Sequence, residues 1–153
     1  MRLALYQPDI PQNAGTMMRM AACLGVGVDI IEPAGFDSSD RNLRRAGLDY
    51  LQSLELARHA SFQAFEAWRR SEGRRLVLAT TAGALPYPDF AFRPGDILMV
   101  GRESAGAPEE VHAQAEALIK VPMRPGLRSL NVAVAAAMIL GEALRQLEAW
   151  PRD

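Results

Sequence analysis

The stretch of residues 121–140, VPMRPGLRSLNVAVAAAMIL, constrains the fold of this chain more than any other. It reads as the end of a buried strand, then a turn shaped by two prolines and a glycine, then a long apolar helix. Residues 132–140 are almost uniformly apolar, which predicts a helix buried on nearly all sides. Ser129 is predicted to cap this helix, and Asn131 is expected in its first turn. A polar entrance to an apolar helix indicates a shaped loop whose backbone amides and carbonyls bind a small ligand.

Short apolar runs alternate with helical patterns along the rest of the chain. The runs predict five strands, at residues 3–6, 28–31, 76–79, 97–100 and 118–121. Helical patterns begin at about residue 13, at residue 61 and at about residue 108, and the second has an aromatic core face at Phe62, Phe65 and Trp68. This alternation predicts parallel strands joined by right-handed crossovers, that is, a mostly parallel α/β fold in one domain over residues 1–153.

Length and composition exclude several classes of protein. A chain of 153 residues, 49% hydrophobic and 23% charged, suits one soluble globular domain with a sizeable core. Its longest apolar run is about half of what a membrane span needs, and its first residues lack a signal-peptide pattern. The single cysteine, Cys23, is typical of the reducing cytoplasm. The two histidines, His59 and His112, have no partners at metal-ligand spacing, so no metal site is expected.

The net charge of −1 gives the molecule as a whole no attraction for polyanions, so nucleic-acid binding requires local basic patches. A short helix predicted after a cap at Asp40 places three arginines close to one face: Arg41, Arg44 and Arg45. Two interpretations stay open, an RNA-binding patch or a solvated face whose counter-ions are Asp37, Asp40 and Asp49. The scarcity of lysine among the basic residues suits phosphate contacts, but a GC-rich genome produces the same bias.

Three predicted strand ends carry loops at one edge of the sheet, where parallel sheets bind ligands. These loops begin with residues 79–81 (ATT), 101–103 (GRE) and 121–123 (VPM). None matches a dinucleotide-binding glycine motif, a P-loop or a nucleophile elbow. Glu103 lacks a second carboxylate and Ser129 lacks a neighbouring histidine, so neither an acid–base pair nor a hydrolytic triad is indicated. The residues alone therefore predict a nucleotide-like pocket built from backbone groups.

Three blocks in order along the chain, PQNAGTMMR, GRESAGAP and VPMRPGLRSLNVAVA, resemble the three motifs of the SPOUT superfamily of RNA ribose methyltransferases. FDSSDRNLRRAGLDY and GEALRQL further resemble the branch that methylates the 2′-hydroxyl of the wobble nucleotide of tRNA, cytidine or uridine 34. The similarity covers about residues 3–147, without the extra RNA-binding domain of other branches. It implies a parallel sheet with helices on both faces, a C-terminal deep trefoil knot that binds S-adenosylmethionine, and a cytoplasmic homodimer acting on the tRNA anticodon stem-loop.

The resemblance also implies roles for individual residues. The cofactor-binding set is Ala79, Gly101, Val121, Met123, Ser129 and Leu130, for which simple strand-end packing is the alternative. The catalytic set is Arg19, Ser129 and Asn131, with helix capping and solvent exposure as the alternatives. Asn13 and Glu103 are implied to brace the motif loops. RNA contacts are expected at Arg41, Arg44, Arg45, Arg124 and Arg128.

The implied reaction is an in-line displacement at a sulfonium methyl group by a ribose oxygen. Such a reaction gains more from a dry, aligned site than from strong acid or base groups. Because arginine stays protonated in proteins, we expect Arg19 to reach across the dimer, orient the hydroxyl and stabilise its oxyanion.

One position departs from the pattern of the branch. Gly141 stands where an aromatic residue is common, and with Ala133 and Ala137 it forms a fourfold spacing that predicts close approach of a partner helix. Two other classes of function stay open at this point: a non-catalytic RNA-binding relative, and a nucleotide-binding enzyme of flavodoxin-like shape.

Overall fold

The computed structural model of the chain describes residues 1–37, 41, 49–83 and 85–153. The described strands are β1 (Arg2–Tyr6), β2 (Gly27–Ile31), β3 (Leu56–His59), β4 (Leu76–Ala79), β5 (Leu85–Pro86), β6 (Ile97–Val100) and β7 (Ala117–Lys120). The described α-helices are α1 (Pro11–Leu24), α2 (Phe62–Ser71), α3 (Glu109–Gln114) and α4 (Val132–Gln146). The predicted cap Asp40 and the arginines Arg44 and Arg45 lie outside the described residues, whereas Arg41 is described and exposed.

The strands form one sheet in the order β3-β2-β1-β6-β4-β7-β5, and every neighbouring pair is parallel. The predicted α/β fold is therefore confirmed, while the trefoil knot stays a prediction. The sequence did not predict the two edge strands. β3 is only partly buried and ends with the polar pair Arg58 and His59, and β5 is two residues long and includes Pro86.

Helices cover both faces of the sheet, as expected. Along β1, Leu3 and Leu5 belong to one core and Ala4 and Tyr6 to the other, because successive side chains of a strand point to opposite faces. The first core includes buried residues of α1 and α4, and the second includes buried residues of α2 and α3. The strands read as continuous apolar runs because both of their faces are buried.

Helix α4 differs from its prediction in two respects. Its N-cap is Asn131 and not Ser129, because the Asn131 side-chain oxygen accepts hydrogen bonds from the backbone N–H groups of Ala133 and Val134 at 2.9 and 3.2 Å. The helix is also not buried all round, since Val134 is 49% exposed and Met138 is 41% exposed. A run of apolar residues therefore predicts the helix but does not determine which of its side chains the rest of the chain covers.

The other helices end at recognisable signals. α1 ends at Gly25, which has a left-handed φ of 69° and donates its backbone N–H back into the last turn. α2 begins after Ser61, whose hydroxyl accepts from the backbone N–H of Ala64 at 3.0 Å. Phe62 and Phe65 are buried in the core, as predicted, and Trp68 packs against the same core.

Two buried ion-pair networks support the α2 face of the sheet. Arg2 binds Asp29 at 2.6 Å, and the other carboxylate oxygen of Asp29 lies 2.8 Å from Nε2 of His59. Arg69, which is 1% exposed, is bound by Glu66 and Glu116. Both networks satisfy buried charges that would otherwise destabilise the fold.

Within the described ranges, the helices are all too short or too polar to cross a membrane. The same ranges contain no group of three His, Cys, Asp or Glu side chains able to hold a metal ion.

Candidate active site

A cavity of about 630 Å³ opens at the carboxyl ends of β4, β6 and β7. Four segments form its walls: the start of α1, the loop after β4, the loop after β6, and the β7–α4 loop with the first turns of α4. This is the edge of the sheet at which the sequence predicted a pocket, because parallel strands all end there. We refer to it as the strand-end cavity.

The strand-end cavity brings together all residues that were predicted to bind the cofactor. It is lined by Ala79, Gly101, Val121, Met123, Ser129 and Leu130. Four other predicted site residues lie on the same walls, namely Asn13, Glu103, Arg128 and Asn131. Their roles stay predictions, but their convergence from distant parts of the chain makes one site out of the three sequence blocks.

The loop after β6 is held in a closed turn. Arg102 and Gly106 exchange backbone hydrogen bonds at 3.2 and 2.8 Å, and Nε of Arg102 also donates to the Gly106 carbonyl at 3.0 Å. The turn folds back so closely on Gly101 that a Cβ there would lie 2.6 Å from the backbone nitrogen of Ala107. Only glycine fits this position, so the wall at Gly101 is bare backbone.

A carboxyl pair ties this turn to the loop before α1. The backbone N–H of Glu103 donates to Asp9 at 3.1 Å, that of Asp9 donates to Glu103 at 3.3 Å, and the Ser104 hydroxyl donates to Asp9. Hydrogen bonds that the Asp9 carboxylate accepts from the Glu103 carboxyl, the Ser104 hydroxyl and the backbone lower the pKa of Asp9 to about 2. Burial, and then the neighbouring Asp9 carboxyl, raise the pKa of Glu103. Asp9 was not singled out from the sequence, because its partner is far away in the chain.

A second tie joins α1 to the start of α4. The side-chain N–H of Asn131 donates to the side-chain oxygen of Asn13 at 3.1 Å. Asn131 therefore both caps α4 and ties it to α1, while the bracing role implied for Asn13 stays a prediction.

A third tie, between the loop after β4 and α3, was missed at the level of sequence. Oγ1 of Thr80 lies 2.9 Å from Nε2 of His112, and Nδ1 of the same ring lies 3.1 Å from the carbonyl oxygen of Pro108. Thr80 lines the cavity. The sequence gives His112 no partner at metal-ligand spacing, and nothing in its sequence neighbourhood points to Thr80.

The arginines implied to contact RNA or the target ribose do not all lie at the cavity. Arg19 is exposed on α1, is absent from the cavity lining, and has its guanidinium carbon 4.9 Å from the ring centre of Tyr50. Arg124 is exposed outside the lining, whereas Arg128 is exposed on the cavity wall. Within one protomer, Arg19 is thus separate from Ser129 and Asn131.

Beside the cavity, the end of the β7–α4 loop and the first two turns of α4 present apolar side chains to solvent. We call this the α4 apolar stripe and define it as Leu127, Leu130, Val134 and Met138, whose exposed fractions are 67, 40, 49 and 41%. Ala133 is buried, and Gly141 lies under the ring of the chain's own Trp150, 3.6 Å from where a Cβ would be. Of the three small residues Ala133, Ala137 and Gly141, only Ala137 is exposed in the protomer, and the close approach of a partner helix over them stays a prediction.

Comparison with known proteins extends over nearly the whole chain. A sequence model of the SpoU rRNA Methylase family matches residues 1–141. A relative from Beijerinckia indica subsp. indica, named tRNA (cytidine(34)-2'-O)-methyltransferase, is 67% identical over 147 residues, which cover 96% of this chain and 92% of the relative.

Solved structures give the same result. The structure described as "Structural insights into the 2-OH methylation of C/U34 on tRNA" has a TM-score of 0.89 at 45% identity and covers 96% of this chain and 95% of that one. The SpoU methyltransferase AviRb from Streptomyces viridochromogenes, in complex with the cofactor AdoMet, has a TM-score of 0.86 at 30% identity and covers 97% of this chain and 60% of that one.

Proposed function

The chain belongs to the SpoU rRNA Methylase family of methyltransferases, and from this premise we propose that it methylates the ribose 2′-hydroxyl of nucleotide 34 of tRNA, in the cytoplasm, with S-adenosylmethionine as the methyl donor. The observation that carries the proposal is the convergence of the three motif blocks on the strand-end cavity. The relative and the first solved structure described above are named for this reaction.

The strand-end cavity fits S-adenosylmethionine in size and in its polar groups. Its volume of about 630 Å³ lies in the range of sites that enclose ligands of this size. The bare backbone at Gly101 allows a ligand to lie directly against the main chain. Oε1 of Glu103, a residue of the cavity wall, is buried without a hydrogen-bond partner in the described part of the chain, so it can accept from an N–H or O–H group of a ligand. When bound, S-adenosylmethionine supplies the methyl group on its sulfonium sulfur.

Ser129 and Asn131 are proposed to contact the ribose beside that methyl group. The Ser129 hydroxyl is exposed on the cavity wall and has no hydrogen-bond partner among the described residues. Asn131 uses its side-chain oxygen for the α4 cap and one N–H for Asn13, which leaves a second N–H for substrate. Together they can hold the 2′-oxygen in line with the sulfonium methyl group, and alignment is the main contribution such a site makes.

The proposed active site is completed by a second copy of the chain. The α4 apolar stripe is an exposed patch next to the cavity, and such patches are typical of interfaces. A two-fold dimer across this stripe supplies the Arg19 that one protomer keeps away from its own Ser129. Arg19 of the partner then orients the ribose hydroxyl and stabilises the oxyanion as its proton leaves.

RNA binding is proposed to rest on the exposed arginines near the cavity mouth, Arg124 and Arg128, together with Arg41, Arg44 and Arg45. With a net charge of −1, these few phosphate contacts give modest affinity that falls steeply with salt.

The experiment is mass spectrometry of nucleosides from tRNA incubated with the purified protein and methyl-labelled S-adenosylmethionine. We expect labelled 2′-O-methylcytidine or 2′-O-methyluridine in the anticodon-loop fragment that contains nucleotide 34. Ribosomal RNA serves as the second substrate, because the family is named for it. Label in ribosomal RNA alone, or at another tRNA ribose, overturns the position that we propose.

A further inference from the structure

Through its two ring nitrogens, His112 joins Thr80 on one wall of the strand-end cavity to Pro108, the residue before its own helix α3. It lies on α3, which follows the β6 loop, and its Nε2 contacts the hydroxyl of Thr80 in the loop after β4 at 2.9 Å. Its Nδ1 lies 3.1 Å from the Pro108 carbonyl oxygen. Thr80 lines the cavity, and Pro108 directly follows the lining residue Ala107 of the β6 loop, so a side chain outside the lining anchors the Thr80 wall to the end of that loop.

The direction of each hydrogen bond follows from the chemistry of the groups. A carbonyl oxygen can only accept, so Nδ1 of a neutral His112 ring carries the hydrogen and donates to Pro108. Nε2 is then an acceptor, and the Thr80 hydroxyl must donate its single hydrogen to it. Oγ1 of Thr80 in turn accepts from the backbone N–H of Ala82 at 3.2 Å.

This arrangement leaves Oγ1 of Thr80 with one free lone pair and no hydrogen to donate. An unconstrained threonine hydroxyl rotates and either donates or accepts. In this molecule the Thr80 hydroxyl already donates its hydrogen to His112, so toward the cavity its oxygen is fixed as a hydrogen-bond acceptor.

We propose that His112 is a positioning residue that fixes the Thr80 hydroxyl as a hydrogen-bond acceptor for the nucleoside part of the cofactor. The inference rests on the proposed function, since it takes the strand-end cavity to be the S-adenosylmethionine site. The ligand chemistry selected is an N–H or O–H donor, that is, the exocyclic amine of adenine or a ribose hydroxyl. A base with a carbonyl in place of that amine presents oxygen to oxygen and is disfavoured.

The test is a double-mutant cycle on the dissociation constant of S-adenosylhomocysteine, measured by calorimetry. His112→Leu and Thr80→Val should each weaken binding by about five- to tenfold, the usual value of one hydrogen bond. The double variant should bind no more weakly than Thr80→Val, because His112 acts through Thr80. His112→Gln should recover part of the affinity, since its amide oxygen can accept from Thr80. In the two His112 single variants the loss should appear in the KM for S-adenosylmethionine, while kcat at saturating S-adenosylmethionine should change little, because His112 positions Thr80 and does not touch the reacting atoms.

Gln114→Leu is the matched control within α3. Its side chain accepts from Arg70 at 2.6 Å, away from the cavity, so S-adenosylhomocysteine affinity should be unchanged. An equal loss of affinity in this variant means that α3 is merely destabilised, and it overturns the inference.

Three analogues identify the donor. S-inosylhomocysteine lacks the amine, and the 2′-deoxyribose and 3′-deoxyribose analogues each lack one hydroxyl. Each analogue is compared with S-adenosylhomocysteine for binding to the wild-type protein and to His112→Leu. The analogue whose loss of affinity is smaller in His112→Leu than in wild type identifies the group that binds Thr80, and equal losses in the two proteins for all three analogues overturn the inference. Additive effects in the cycle overturn it as well, while leaving the proposed function intact. A wild-type protein that binds no S-adenosylhomocysteine removes the cofactor assignment itself.

Discussion

The side-chain amide of Asn131 donates a hydrogen bond to the side-chain oxygen of Asn13 at 3.1 Å, across a sequence separation of 118 residues. The same Asn131 accepts from the first free N–H groups of α4. One side chain thus starts the C-terminal helix and fixes it against the first turn of α1. A shorter side chain can still cap the helix, whereas the hydrogen bond to Asn13 requires a side chain as long as that of asparagine.

Substitution of Asn131 separates these two roles. Asn131→Ala should lower the free energy of unfolding by about 1 kcal/mol through loss of the cap, and Asn131→Ser should restore most of that stability. Serine is too short to contact Asn13, so methyl transfer should be lost in both variants. Chemical denaturation and a methyl-transfer assay measure the two effects, and a fully active Asn131→Ser protein contradicts the catalytic assignment.

Gly101→Ala should reshape the cavity wall. The new Cβ would lie 2.6 Å from the Ala107 nitrogen, so the turn at residues 102–106 must move. We expect S-adenosylmethionine affinity to fall by tenfold or more, measured by calorimetry. Gly95→Ala is the control, because a Cβ there meets nothing within 4 Å and its φ is not left-handed. Equal affinities for the two variants would mean that the ligand does not lie against Gly101.

Because Asp9 and Glu103 share a site, we expect the free energy of unfolding to depend on pH in an unusual direction. The pKa of Glu103 is raised above its ordinary value of 4.5 by burial and by Asp9. The stability it contributes is therefore present below pH 4.5 and is lost as the pH rises through the raised pKa. Glu103→Gln mimics the protonated form, so its free energy of unfolding relative to wild type should increase from about pH 4 to pH 8.

Glu142→Gln is a control of opposite sign. The pKa of Glu142 is lowered to about 2 by hydrogen bonds from Arg145 and Gln146. The stability that the Glu142 carboxylate contributes is present at neutral pH and is lost on acidification. Glu142→Gln should therefore become slightly less stable relative to wild type as the pH rises, and the effect should be small because the ion pair is at the surface. A Glu103→Gln protein with the same trend as Glu142→Gln contradicts the assigned direction.

Disruption of the α4 apolar stripe should give inactive monomers. Val134→Glu replaces a side chain that is 49% exposed in the protomer with a charged one. The protomer should still fold, but a dimer that buries this position should not form. Light scattering reports the mass and circular dichroism reports the fold. Leu85→Glu is the matched control, since Leu85 is 46% exposed on the edge strand β5. An active monomeric Val134→Glu protein rules out a shared active site.

Arg19 should act in trans. Arg19→Lys should abolish most turnover while S-adenosylmethionine still binds, because a lysine cannot reproduce the planar fork of donors. Mixing refolded Arg19→Ala and Asn131→Ala proteins should restore about a quarter of wild-type activity, since half of random dimers are mixed and one of their two sites is intact. Activity no higher than that of either variant alone would place Arg19 and Asn131 in the same site of one protomer.

The central strands could be predicted from short apolar runs in the sequence, because both faces of the sheet are buried. β4 and β6 have the predicted bounds, β1 and β2 begin one residue earlier than predicted, and β7 is shifted by one residue. The strands β3 and β5 could not be found in the same way, since edge strands bury less surface and tolerate polar residues and proline. The cap of α4 was misplaced by two residues because serine and asparagine are both good caps, and only the backbone path decides which one reaches the free N–H groups.

The sequence by itself determined the class of fold, the edge of the sheet at which the cavity opens, and the three blocks that surround that cavity. Those features depend on the alternation of apolar residues and on turn residues, which act over a few positions. Only the tertiary structure decided that Asn131 meets Asn13, that Asp9 meets Glu103, that His112 holds Thr80, and that one face of α4 is left to solvent. Each of these contacts joins residues on different elements, and no local pattern encodes the distance between two elements after they pack.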